Sequence, residues 1–154
     1  MILHLVCDTS GSMAEWGKFL IARGVLRTIE QYTRLGYGSA DLRLISWGDT
    51  INVLEWQPEQ EFPPEILICK GSADINVLID HISDQPLKGD KVILITDGYW
   101  KRENIRDLKR WKDKLPRDSV RLIKVGDDSN PQLQGIGIFS ADDIFSALDS
   151  WLIE

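Results

Sequence analysis

Asp8, Ser10 and Ser12 alternate along Asp8-Thr9-Ser10-Gly11-Ser12-Met13, directly after the apolar run Ile2-Leu3-His4-Leu5-Val6-Cys7. A carboxylate and two hydroxyls therefore leave the end of a strand on one short loop. Three oxygen side chains at alternate positions converge as half of a hard-cation site, because magnesium takes near-octahedral oxygen ligands and accepts few charged ones. A second acid, Asp97, ends the run Lys91-Val92-Ile93-Leu94-Ile95-Thr96 and is followed by Gly98. The competing reading of Ser10 or Ser12 taken singly is a helix N-cap, a common role for serine after a strand. The recurrence of an acid at a second strand end weighs against it. His4, inside the first strand, reads as a packed, hydrogen-bonded residue, and His81 shows no partner, so neither supports catalysis.

The elements that must carry these loops alternate between strand and helix. Residues 2–7 are nearly all apolar, as a strand buried on both faces requires, and Phe19, Ala22, Leu26 and Ile29 then recur at helical spacing. Residues 42–47 and 51–56 flank Gly48-Asp49-Thr50, which predicts a hairpin whose second strand runs antiparallel at a sheet edge. Pro58, Pro63 and Pro64 make the next stretch a loop. Ile75, Leu78, Ile79 and Ile82 mark a short helix, the strand at 91–96 follows, and Ile105, Leu108, Trp111 and Leu115 mark another helix that Pro116 stops. Residues 120–125 and 136–139 read as strands. Ser140 is expected to cap a last helix through a box with Asp143, turning Ile144, Phe145, Leu148 and Leu152 inward. The sum is an α/β fold: a doubly wound, mostly parallel six-stranded sheet with one antiparallel edge strand and helices on both faces. In such sheets ligands bind beyond the carboxyl ends of the strands, the edge that holds Asp8 and Asp97. Whether the first and fourth strands are neighbours stays open at this level.

A chain of 154 residues suits one domain, 1–154, and no linker divides it. Its 43% hydrophobic and 27% charged residues exclude a disordered class, and a net charge of -6 argues against nucleic acid, whose phosphates need clustered positive charge. Cys7 and Cys69 read as buried thiols in a reducing compartment. The N-terminus lacks a basic region, and no stretch approaches the roughly 18 apolar residues of a membrane span, so a cytoplasmic protein without membrane contact is expected.

Asp8-x-Ser10-x-Ser12 after the first strand, with Thr96-Asp97-Gly98 after a later one, resembles the metal-ion-dependent adhesion site of the von Willebrand factor A (VWA) domain. The resemblance spans essentially the whole chain, in element order as well as motif, and is to the stand-alone intracellular bacterial kind. It implies that the first and fourth strands are adjacent. It also implies Mg2+, with Mn2+ as a substitute, held directly or through water by Asp8, Ser10, Ser12 and Asp97, with one position left for a carboxylate from another protein. The family has a threonine in the loop before the second helix; aligning Asp74 with the family pattern puts Ala73 in that place. Ser72 becomes an accessory ligand if the loop shifts by one residue, and Asp74 if it turns inward, at the cost of added negative charge. A weakened rather than absent site is expected.

Trp16, Trp47 and Trp100 fall at the same carboxyl edge, with Tyr99 beside the last. Trp16, Tyr99 and Trp100 are candidate anchors for a partner, against the alternative that the indoles pack beneath the loops. The basic residues between Lys101 and Arg117 interleave with Glu103, Asp107 and Asp113 and read as a solvated helix face. The expected function is a non-enzymatic, metal-dependent interaction module that captures an Asp or Glu of another protein; the resemblance implies an AAA-type ATPase or a metallopeptidase-like protein as that partner. Two rival readings stand beside it. One is a phosphohydrolase of the haloacid dehalogenase type, although Ser10 occupies the place of its acid/base carboxylate. The other is a metal-free scaffold whose loop oxygens bond one another.

Overall fold

The computed structural model describes residues 1–83 and 87–153. An uninterrupted apolar strand must be covered on both faces, and β1 (Ile2–Asp8) meets that condition, being buried from residue 3 onward. The other strands are β2 (Asp41–Trp47), β3 (Ile51–Val53), β4 (Lys91–Thr96), β5 (Val120–Lys124) and β6 (Ile138–Ser140), in the order β3-β2-β1-β4-β5-β6. Among the described residues only β3 runs antiparallel. The helices are α1 (Lys18–Arg34), α2 (Ile75–Ser83), α3 (Arg102–Lys114) and α4 (Ile144–Leu148). The doubly wound, mostly parallel six-stranded sheet is thus as expected, and no helix is long and apolar enough to cross a membrane among the described residues.

Side chains two apart on a strand share a face, and this alternation builds two cores. Leu3, Leu5 and Cys7 pack with Ile93 and Ile95 under α1 and α4, while Val6, Ile45, Trp47, Val92 and Leu94 pack under α2 and α3. Helix α1 offers the first core a stripe of Ala22, Val25, Leu26 and Ile29, all buried. Truncating Leu26 to alanine would cost about 2–5 kcal/mol through lost burial and the cavity left behind. The winding direction reverses between β1 and β4, so their carboxyl ends open side by side at the position where sheets of this kind bind ligands.

Several local expectations need correction. The hairpin's second strand stops at Val53 rather than 56, because Trp56 turns to stack on Phe62 and gives its indole N–H to the Gln60 carbonyl. The last strand begins at Ile138, since Gly135 and Gly137 hold positive φ and leave Ile136 98% exposed. Ser140 does not cap backbone; its hydroxyl meets the Asp143 carboxylate at 3.3 Å ahead of a three-residue 3-10 turn. Helix α4 is only one turn and a half, so its inward stripe is Ile144, Ala147 and Leu148, and Phe145 points to solvent. Cys69 is half-buried rather than buried. His4 is buried, but its Nδ1 finds no hydrogen-bond partner, and burial with nearby Arg43 lowers its pKa to about 4.

Candidate functional site

Three loops meet at the carboxyl edge of β1 and β4. The first follows Asp8, the third follows Thr96, and the second, residues 69–74, is tied to the first by backbone: Lys70 N–H donates to Thr9 O at 2.9 Å and Gly11 N–H to Gly71 O at 2.9 Å. Asp8 is 1% exposed. Its Oδ1 accepts from the Ser10 N–H at 2.8 Å, and its Oδ2 from the Thr96 hydroxyl at 2.6 Å. The parallel register makes the second bond possible, because Cys7 sits opposite Ile95 and the next pair outward is Asp8 and Thr96. The Thr96 hydroxyl also accepts from Gly98 N–H at 2.9 Å and from the Trp100 indole N–H at 3.1 Å. It is the junction of the first and third loops. Gly98 has φ +77, and a Cβ there would lie 2.8 Å from Leu133 Cδ2, so both turn geometry and packing require glycine.

Ser10 stands at the N-cap position of a distorted 3-10 segment, Gly11–Gly17, yet makes no capping bond. Its hydroxyl lies 3.3 Å from that of Ser12. Capping was the rival explanation for a serine here, and the hydroxyl is turned to its neighbour instead.

The electrostatics of the edge rest on four groups. Asp97 is fully buried; its Oδ1 accepts from Tyr99 N–H at 3.2 Å and its Oδ2 from Lys18 Nζ at 3.1 Å. Lys18, 1% exposed, also lies 3.1 Å from Asp128 Oδ1. Burial pushes the Asp8 carboxyl above the usual aspartate range, against the bonds from Thr96 and Ser10, and the charge of Asp97 adds to the rise. For Lys18, burial pulls its pKa down, but the bonds and charges of Asp97 and Asp128 prevail and it ends raised. Three carboxylates against one ammonium leave negative charge in excess.

The structure brings Asp8, Ser10, Ser12 and Asp97 to one edge. The accessory candidates are engaged elsewhere: Asp74 Oδ1 accepts from Asn76 N–H at 2.9 Å, a cap for α2, and the exposed Ser72 gives its N–H to Asp49 Oδ1 at 3.1 Å. Ala73 is buried in the core around Trp47. Of the aromatic residues, Trp16 is 88% exposed with φ +55, and Tyr99 is exposed with its hydroxyl donating to the Asp128 carbonyl. Trp100 is half-buried, edge-on to the fully buried Trp47 at 5.2 Å. Lys18 and Asp128 had no distinguishing signal in the sequence. A lysine ten positions after Asp8 at the start of a helix looks like any surface lysine until the fold places Asp97 against it.

An oxygen-seeking divalent cation fits the chemistry of Asp8, Ser10, Ser12 and Asp97. Among the described residues no group of three or more His, Cys, Asp or Glu side chains is placed to hold a metal. With two carboxylates, this edge would need the serine hydroxyls and water to complete a shell.

No protein-family model matches the sequence, and no curated protein matches it. Solved structures do. The chain is similar to a von Willebrand factor type A protein from Catenulispora acidiphila, with 16% identity and a TM-score of 0.67 over 98% of this chain and 42% of that one. It is similar to manganese-loaded TRAP of Plasmodium vivax, with 16% identity and a TM-score of 0.65 over 99% and 73%. It is also similar to proximal thread matrix protein 1 of the mussel byssus with a zinc-occupied MIDAS motif, with 13% identity and a TM-score of 0.62 over 95% and 44%. The chain spans less than half the length of the first and third of these.

Proposed function

We propose, from the von Willebrand factor A fold this chain carries, that it is a metal-dependent protein–protein interaction module. Asp8, Ser10, Ser12 and Asp97 hold Mg2+, with Mn2+ as a substitute, and the bound ion supplies a Lewis-acidic position for an Asp or Glu of another protein. The observation that carries the reading is the Ser10 hydroxyl, which makes no cap and lies 3.3 Å from the Ser12 hydroxyl beside the buried Asp8. The excess negative charge supports it, since a divalent cation would offset the cost of keeping Asp8 ionised. The manganese and zinc named for two of the similar structures support the metal class.

Within this reading Thr96 orients the Asp8 carboxylate, the backbone N–H of Tyr99 orients that of Asp97, and Trp16 and Tyr99 flank the edge as aromatic anchors. Trp100 shares its surface between this edge and the core. The partner belongs to the AAA-type ATPase or metallopeptidase-like class, and the module is cytoplasmic and non-enzymatic; the free thiols Cys7 and Cys69 suit a reducing compartment. Ser10, where a haloacid dehalogenase would place its acid/base, supports binding over phosphoryl transfer. A metal-free scaffold has its own support in the Lys18–Asp97 ion pair, which already neutralises one carboxylate, and in Ala73.

The experiment is calorimetric titration of Mg2+ and Mn2+ into the purified protein and into Asp8→Ala, with a phosphatase assay on the same samples. Saturable binding that Asp8→Ala abolishes, without phosphatase activity, is the expected result. No binding to the wild type would leave the metal-free scaffold.

A further inference from the structure

Lys18 is the first residue of α1, and its ammonium sits in a built slot. Asp97 Oδ2 and Asp128 Oδ1 each lie 3.1 Å from Nζ, and the Tyr99 ring lies 5.3 Å away on a third side. The stem is packed as closely as the head: a Cβ on Gly126, at φ +92, would come within 3.0 Å of Lys18 Cε. Burying a long, strongly hydrated cation in one conformation carries desolvation and side-chain entropy costs, so such a slot persists where the charge has a role. The charge falls on Asp97, one of only two carboxylates in the proposed metal set.

We propose that Lys18 is a resident counter-ion that competes with the divalent metal for Asp97 and so sets the metal affinity of this edge. The inference rests on the metal-binding reading above and names a residue outside its ligand set. Both Asp97 oxygens are already in use, Oδ1 by the Tyr99 N–H and Oδ2 by Lys18. A metal approaching Asp97 meets a carboxylate whose charge is shared with an ammonium and feels that ammonium's repulsion at short range, where little water screens it. Asp128, 49% exposed, offers the ammonium a second anchor when the metal draws on Asp97.

The test compares the wild type with Lys18→Met, titrating Mn2+ by calorimetry and recording melting temperatures with EDTA and with Mn2+. Lys18→Met is expected to bind Mn2+ about tenfold tighter or more. It should also melt below the wild type in EDTA, since Asp97 loses its counter-ion, and recover that loss in Mn2+. Equal affinities in the two folded proteins would overturn the inference and leave the metal reading standing. Weaker binding by Lys18→Met would also overturn it, making Lys18 a positioning residue for Asp97. Binding by neither protein would remove the metal reading and the inference together. Should Lys18→Met fail to fold, the wild type decides: a Mg2+ titration followed by 13C NMR must shift the Lys18 Cε resonance as the metal-loop amides shift, and a Cε signal unmoved at saturation overturns the inference.

Discussion

Thr96→Val tests the junction on which the edge is built. Valine keeps the shape of threonine at a fully buried position and removes one oxygen that makes three bonds: a donation to Asp8 Oδ2 at 2.6 Å and acceptances from Gly98 N–H at 2.9 Å and Trp100 Nε1–H at 3.1 Å. A bond to a charged group contributes about 1.5–3 kcal/mol, and each donor left buried without a partner costs about 1–3 kcal/mol. Two effects limit the sum. The half-buried Trp100 indole can turn toward water, and Asp8, already raised by burial, protonates once the hydroxyl is gone instead of remaining charged and unpaired. The expected loss is about 3–5 kcal/mol, a large share of the roughly 5–15 kcal/mol that holds a typical domain folded. Thr96→Ser is the control: it keeps the hydroxyl and drops one buried methyl, for about 1 kcal/mol. Urea denaturation followed by far-UV circular dichroism at neutral pH reads both, and Mn2+ calorimetry on the folded variants should show binding retained by serine and lost by valine. If the two variants lie within about 0.5 kcal/mol of each other, the hydroxyl is not a junction and the account of how Asp8 is oriented is wrong.

Three further outcomes are expected. His4 carries a pKa of about 4 when folded against 6.5 when free, so the unfolded chain takes up a proton first: its contribution is intact above pH 6.5 and is lost as pH falls from 6.5 to 4, by about 3 kcal/mol. His4→Gln should flatten the stability profile in that window, and an unchanged slope between the two proteins would show that the imidazole is not held neutral. Ala73→Thr adds a neutral oxygen beside the edge and should tighten Mn2+ binding, whereas Ser72→Ala, at an exposed residue tied through its backbone to Asp49, should leave it unchanged; the reverse pattern in calorimetry would assign the loop to the other register. Trp16→Gly removes a bulky residue from positive φ, a conformation that costs about 1–2 kcal/mol, at a position 88% exposed. Stability should hold or rise by about 0.5 kcal/mol while capture of a carboxylate-bearing partner weakens by about 1 kcal/mol or more; a lower melting temperature with unchanged capture would contradict the anchor role.

The architecture was legible because it depends on short-range pattern. Continuous apolar runs at 2–7 and 91–96 can be satisfied only by strands covered on both faces, and the 3–4 spacing of Ala22, Leu26 and Ile29 can face only one core. The same runs placed Asp8 and Asp97 at strand ends, since a buried strand stops where a charged side chain needs solvent or a partner. Where pattern is thin, at the Trp56 turn, the Gly135–Gly137 stretch and the one-and-a-half-turn α4, single contacts move the boundary by residues, and Phe145 ends up outside. Three matters belong to the tertiary structure alone. The adjacency of β1 and β4 follows from the sheet order, which no local spacing encodes. The separation of Trp16, Trp47 and Trp100 into exposed, fully buried and half-buried follows from what α2 and α3 leave uncovered. The ion pair of Lys18 with Asp97 joins residues 79 apart, and a lysine's partner at that distance is chosen by the path of the chain, because its own neighbours in sequence contain nothing that would hold a buried charge.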